Sequence, residues 1–170
     1  MGAANVARCL TEGELALAHA AFGDALPFGR VRFVEGAAGN PVAKAAFRNG
    51  NGAITLRRTI YFNDAYYLPD FSTAKPAAQG LCAHELTHVW QYERLGTAWF
   101  LARYGREFAK AGFKAWRMYD YQPGVTRFRE ATLEAQAEMV GNYVEARAEG
   151  DADKAALIAV SLAGSGLHGL

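Results

Sequence analysis

The sequence predicts one α+β domain over residues 1–170, mostly helical, with a small N-terminal β-sheet. Three observations support this. A chain of 170 residues can bury a sizeable core and fits a single domain. Its β-branched and aromatic alternating runs all end by Asp64, whereas helical spacing of apolar residues dominates from Ala77 onward. No internal repeat or low-complexity linker divides the chain.

Thr11 and Glu14 stand at capping-box spacing, so a helix is expected over 11–22 with Gly23 as its stop. Pro27 and Gly29 mark a turn. In RVRFVEG, Val31 and Phe33 alternate with Arg30 and Arg32, the pattern of a half-buried strand, and EGAAGNP then reads as a loop. Beyond RNGNG, the segment AITLRRTIYFND is rich in strand formers and closes at Asn63 and Asp64, which predicts one strand or two joined at a kink. Residues 70–76 form a polar connection. Helical periodicity runs over 77–95, closed by Gly96, and a further helix is expected from Thr97 to about Ala111. KAWRMYDYQPG is irregular, punctuated by Pro123 and Gly124. The longest helical pattern extends from Thr126 to about Glu149, with Phe128, Leu133, Ala137, Val140 and Val144 as its apolar stripe. Asp151 or Asp153 caps a last short helix, and the tail GSGLHGL reads as frayed.

Composition excludes several classes. About half the residues are apolar and about a fifth charged, unlike a disordered chain. Eighteen basic against seventeen acidic residues leave a net charge of +1, so no global field draws nucleic acid or an anionic membrane. Cations and aromatics interleave in RYGREFAKAGFKAWR, where a snorkelling amphipathic helix is a simpler reading than a nucleic-acid patch. Cys9 and Cys82 lack any C-x-x-C spacing, which argues against a redox motif or a cysteine zinc site and for a reducing, cytoplasmic setting. No run approaches the ~18 apolar residues of a membrane span, and MGAANVARCLTEGE lacks the features of a Sec signal peptide. Export by a specialised secretion machine is compatible with both observations.

The chemistry concentrates in HELTH. On a helix, His84 and His88 are one turn apart and point the same way, so each can offer a ring nitrogen to one Zn²⁺. Glu85 projects beside that site, where its carboxylate can act as general base toward zinc-activated water. No Pro or Gly interrupts residues 81–95, so the helix has the stiffness a two-histidine site needs. The competing reading is a buried histidine pair satisfied by hydrogen bonds.

A catalytic zinc needs a third protein ligand. His19, on an apolar helix, and His168, in the tail, read as structural or exposed, and Cys82 faces away as a small buried residue. Carboxylates are better candidates, and Glu130, Glu134 and Glu138 recur every four residues in REATLEAQAEM. Small Ala135 and Ala137 would admit the HELTH helix closely, so Glu134 is the preferred ligand. Glu138 is then placed to accept the other ring N–H of a ligand histidine. Tyr119 and Tyr121 are candidates for stabilising an oxyanion, with plain aromatic packing as the alternative. The strand in AITLRRTIYF, if it edges the cleft, can pair with an extended peptide.

HELTHVWQY followed by LEAQAEM resembles the gluzincin metallopeptidases, which implies a zincin-like domain with two active-site helices. In that resemblance His84, His88 and Glu134 are zinc ligands, Glu85 is catalytic, and Glu138 orients a ligand. Glu138 stands where an Asp is commoner. A wider resemblance covers RCLTEGELALAHAAFG, the V-R-F strand, DFSTAKPAAQGLCAHELTHVWQ and EAQAE. These are similar to small bacterial proteins called vgr related, whose core resembles HExxH domains associated with contractile injection systems and polymorphic toxins. That implies a bacterial setting and a link to type VI secretion.

The leading expectation is therefore a zinc-dependent peptidase acting on a peptide or protein substrate. The alternative is a non-catalytic, zinc-containing module that binds a secretion spike or cargo partner. A third is an amidase or endopeptidase acting on peptidoglycan stems.

Overall fold

The computed structural model describes residues 7–167. Helix α1 (Glu12–Phe22) opens the fold with the expected capping box, in which the Glu14 amide donates to Thr11 Oγ1 and the Thr11 amide to Glu14 Oε2. Glu14 does more than cap. Its carboxylate is fully buried, receives two hydrogen bonds from Arg8 at 2.7 and 2.8 Å, and accepts the Phe71 amide at 2.9 Å. That cluster ties the chain start to the 67–71 connection.

Strand β1 (Arg32–Glu35) follows, then helix α2 (Pro41–Arg48), strands β2 (Ala53–Leu56) and β3 (Thr59–Phe62), and helix α3 (Pro76–Leu95). The loop expected at EGAAGNP runs to Asn40, and the stretch after it, for which the sequence reading named no element, is a helix. Asn40 caps it, accepting the amides of Val42 and Ala43, and Pro41 occupies the first helical position, where a missing N–H costs nothing. AITLRRTIYF is two antiparallel strands around Arg57–Arg58, with Arg57 at φ +61°. The sheet order is β1-β3-β2, parallel between β1 and β3, so β2 is an edge strand. Arg58 pairs with Glu93 of α3 at 2.8 Å, which helps hold the β2–β3 turn against that helix.

Helix α4 (Thr97–Lys110) runs on after Gly96. Short 3-10 turns at Ala115–Met118 and Phe128–Glu130 lead to α5 (Leu133–Glu149) and α6 (Ala152–Leu162), the latter capped by Asp151. Helix α5 starts at Leu133, not near Thr126, because the Thr132 side chain accepts the Ala135 amide and caps it there. Phe128 and Glu130 consequently lie off the helix, and the expected three-glutamate stripe reduces to Glu134 and Glu138. The tail is packed rather than frayed as far as Leu167, which is buried in the core, while Arg129 Nε donates to Gly164 O at 3.0 Å. His168 lies outside the described residues.

Helices α3 and α5 form the centre of the molecule and meet through two glycines. A side-chain carbon at Gly141 would stand 2.8 Å from Gly80 O, and one at Gly80 would stand 3.0 Å from Gly141 O. Below the sheet, Phe33, Phe62 and Phe71 pack on one another in a core that continues through Leu86, Val89, Trp90, Phe128 and Met139. The fold is mixed α+β, mostly helical, with one three-stranded sheet among the described residues. No helix in them is long and apolar enough to cross a membrane.

Candidate metal centre

His84 and His88 lie in the buried middle of α3, and Glu134 in the first turn of α5, where the helix N-terminus favours a negative charge. The close α3–α5 crossing brings the three together. Glu134 Oε2 is 3.3 Å from His84 Nε2 and 3.1 Å from His88 Nε2, and the two imidazole nitrogens are 3.2 Å apart. All three side chains are buried, and each offers one donor atom within 4.8 Å of the others.

The outer ring nitrogens decide what the inner ones can be. His84 Nδ1 faces Glu138 Oε2 at 3.3 Å, and a carboxylate only accepts, so Nδ1 carries the hydrogen. His88 Nδ1 lies 2.9 Å from Gln91 Oε1, whose amide nitrogen is committed to Leu133 O at 2.9 Å and Gln136 Oε1 at 3.1 Å. In the neutral rings both Nε2 atoms are thus bare lone pairs aimed at a carboxylate oxygen. Three acceptors this close repel unless a cation or a proton lies between them. The donor set and its orientation fit Zn²⁺.

The electrostatics agree. Burial by itself would lower His84, but hydrogen bonds to Glu134 and Glu138 and the charge of Glu85 outweigh it and raise the imidazole to about 10. His88 is also lowered by burial and raised on balance by Glu134. Burial opposes ionisation of Glu134, yet the two histidines hold it well below the usual carboxylate range.

Glu85 is buried beside this cluster and accepts a 2.7 Å hydrogen bond from Thr55 Oγ1 of the edge strand. A cleft of about 270 Å³ opens over Glu85 and the triad, its apolar wall built by Ile54, Leu56, Phe100 and Leu101. A second cleft of about 260 Å³ reaches His84 and Glu85 from the side of Glu138, Asn142 and Glu145. Tyr119 lines both, and its ring stacks on His84 with centroids 5.9 Å apart. Burial first, then the charge of Glu134, pushes the Tyr119 phenol far above its ordinary value. Tyr121 is placed differently, with its hydroxyl accepting from Asn142 Nδ2 at 3.0 Å and its ring against the core.

Of the residues singled out in the sequence, His84, Glu85, His88, Glu134, Glu138 and Tyr119 gather here. Glu130, His19 and Cys82 do not: Glu130 lies on the 3-10 turn, His19 bonds Gly23 O at 3.0 Å, and Cys82 is a core residue. The site also contains residues the sequence reading missed. Tyr104 lines the larger cleft, is raised by burial and by Glu134, and hydrogen-bonds that carboxylate. Thr55, Gln91 and Gln136 complete the set. Gln91, three residues after His88 on one helix, had a readable spacing; Thr55 and Tyr104 reach the site from other elements.

Comparison with known proteins adds relationships. The model of the eCIS core domain family matches residues 10–96, about half of the chain. Over 143 residues the chain is 30% identical to the Type VI secretion system spike protein VgrG2b of Pseudomonas aeruginosa, a match covering 82% of this chain but 13% of that protein. It is also similar to the solved effector domain of Pseudomonas aeruginosa VgrG2b, with TM-score 0.67 and 26% identity over 95% of this chain and 85% of that one.

Proposed function

This chain belongs to the eCIS core domain family, and from that premise we propose that it is a secretion-associated effector module with a gluzincin-like, zinc-dependent peptidase site. The link to secretion rests on the likeness to the effector domain of a type VI spike protein, of whose full length the chain spans 13%. The catalytic reading rests on one observation: His84 Nε2, His88 Nε2 and Glu134 Oε2 converge while both outer ring nitrogens are held by acceptors.

His84, His88 and Glu134 would hold the ion, which when bound supplies Lewis acidity and lowers the pKa of water toward neutrality. The protein's own groups do the rest. Glu85, oriented by Thr55, takes the proton from attacking water and carries it to the leaving amine. Tyr119 and Tyr104 are protonated at neutral pH as ordinary phenols are, and burial with Glu134 raises both further, so each has an O–H to offer the charge that develops on the scissile carbonyl oxygen. Edge strand β2 lines the cleft through residues 53–56 and offers an extended peptide a backbone to pair with.

The test is metal analysis with activity on a broad peptide library and on peptidoglycan stem peptides, using wild type, Glu134→Ala and Glu85→Gln. One zinc per chain that is weakened by Glu134→Ala, with cleavage abolished by Glu85→Gln at unchanged metal content, is expected. Zinc retained without cleavage of any substrate would leave a non-catalytic binding module for a spike or cargo partner.

A further inference from the structure

We infer that the outer face of α4, with the turn after it, is a docking surface for an anionic lipid bilayer. Residues 97–117 contain five cations and one carboxylate, in a chain whose total charge is +1, so the remainder is net negative and the molecule is polarised. The lone carboxylate, Glu107, is turned inward, paired with Arg103 at 2.7 Å and accepting the Leu133 amide at 2.8 Å. Arg106, Lys110, Lys114 and Arg117 have no ion-pair partner among the described residues.

Large aromatic side chains stand among these charges. Trp99 is 74% exposed, Phe113 72% and Trp116 62%, so each ring is available to a partner. Helical spacing puts Trp99, Arg103, Arg106 and Lys110 on one stripe, on the flank of α4 away from Leu101 at the cleft rim. Phe113 holds φ +59°, a region that disfavours a bulky L residue, and its ring makes an edge contact with Phe108 at 5.5 Å. Arg117 lies over the Trp116 ring at 5.2 Å.

Indole and phenyl rings interleaved with Lys and Arg match a bilayer interface, where aromatics sit at headgroup depth and each cation is attracted to anionic lipid. Trp99 lies in the first turn of a helix about 20 Å long, and Phe113 and Trp116 follow its end, a spread that suits a planar partner better than a strand of stacked bases. The cleft, whose wall α4 builds with Phe100, Leu101 and Tyr104, lies on the other flank of the helix, so docking on this face leaves its mouth uncovered. The inference rests on the surface alone and is independent of the peptidase reading.

The experiment is co-sedimentation of the full chain with phosphatidylcholine vesicles and with vesicles that also contain phosphatidylglycerol, with indole quenching by brominated acyl chains. Expected are binding at least about tenfold tighter to the anionic vesicles and quenching of the exposed tryptophans. Trp99→Ala/Phe113→Ala/Trp116→Ala and Arg106→Glu/Lys110→Glu should each weaken sedimentation, with the thermal melt unchanged. No sedimentation, sedimentation without quenching, or tighter binding to a single-stranded oligonucleotide than to anionic vesicles would each overturn it.

Discussion

Gly80 and Gly141 face one another where α3 crosses α5, each with its carbonyl oxygen 2.8–3.0 Å from where a side-chain carbon of the other would stand. Glycine inside a helix costs roughly 1 kcal/mol relative to alanine, and here that cost permits the approach that puts Glu134 and Glu138 within reach of the two histidines. Gly141→Ala should force the helices apart, lowering stability by about 1–3 kcal/mol and weakening zinc. A chelator competition titration with a thermal melt checks both. Unchanged metal affinity in a folded variant would show that the crossing does not set the site.

Gln91 and Glu138 act through the histidines. Each accepts an Nδ1 hydrogen and so presents an Nε2 lone pair to the centre. Gln91→Leu and Glu138→Leu should each lower zinc affinity by about 10–100-fold. Glu138→Gln, which keeps an acceptor oxygen, should lose less. Equal losses in the Gln and Leu variants would mean that charge, not the hydrogen bond, is what Glu138 supplies.

Proton linkage follows from the same cluster. The metal-free His84 titrates at about 10, so near neutrality the cluster holds a proton that zinc must displace. Calorimetry in buffers of different ionisation heats should show proton release on binding, and affinity should rise with pH up to about 10. Without metal, the stabilising effect of the raised His84 is complete below its ordinary value of about 6.5. It is lost as pH climbs through about 10. Glu134 works in the opposite direction: its depressed value stabilises above the ordinary carboxylate range and is lost in acid. The metal-free protein should therefore melt progressively lower from near neutrality to pH 10. A flat profile over that range would contradict the assignment of the shared proton.

How much of this was readable depends on how far each residue's partner lies along the chain. His84 and His88 define their geometry by one turn of one helix, and Glu134 with Glu138 repeats that spacing on another. The crossing depends on Gly80 and Gly141, which a reading centred on Ala135 and Ala137 overlooked. Helix α2 escaped although Asn40-Pro41 is a cap followed by a first-turn proline, because only eight residues follow it. The start of α5 was placed too early for want of reading Thr132 as its cap. Thr55 and Tyr104 had no local signal at all, since β2 and α4 meet the site only through tertiary packing.

The Arg8–Glu14 pair offers a test of the fold away from the metal. Glu14 is completely buried, so removing either partner strands a charge or an unfilled acceptor among apolar neighbours. Breaking a buried pair typically costs about 3–5 kcal/mol, and the partial exposure of Arg8 reduces this to about 2–4 for Glu14→Ala. Thr11→Ala removes only the cap and should cost about 1 kcal/mol. If the carboxylate is the junction between α1, the chain start and the 67–71 connection, urea titration will rank Glu14→Ala and Arg8→Ala both well above Thr11→Ala. Glu14→Ala costing no more than Thr11→Ala would reduce Glu14 to an ordinary helix cap and leave the attachment of the chain start to its backbone pairing with Phe33.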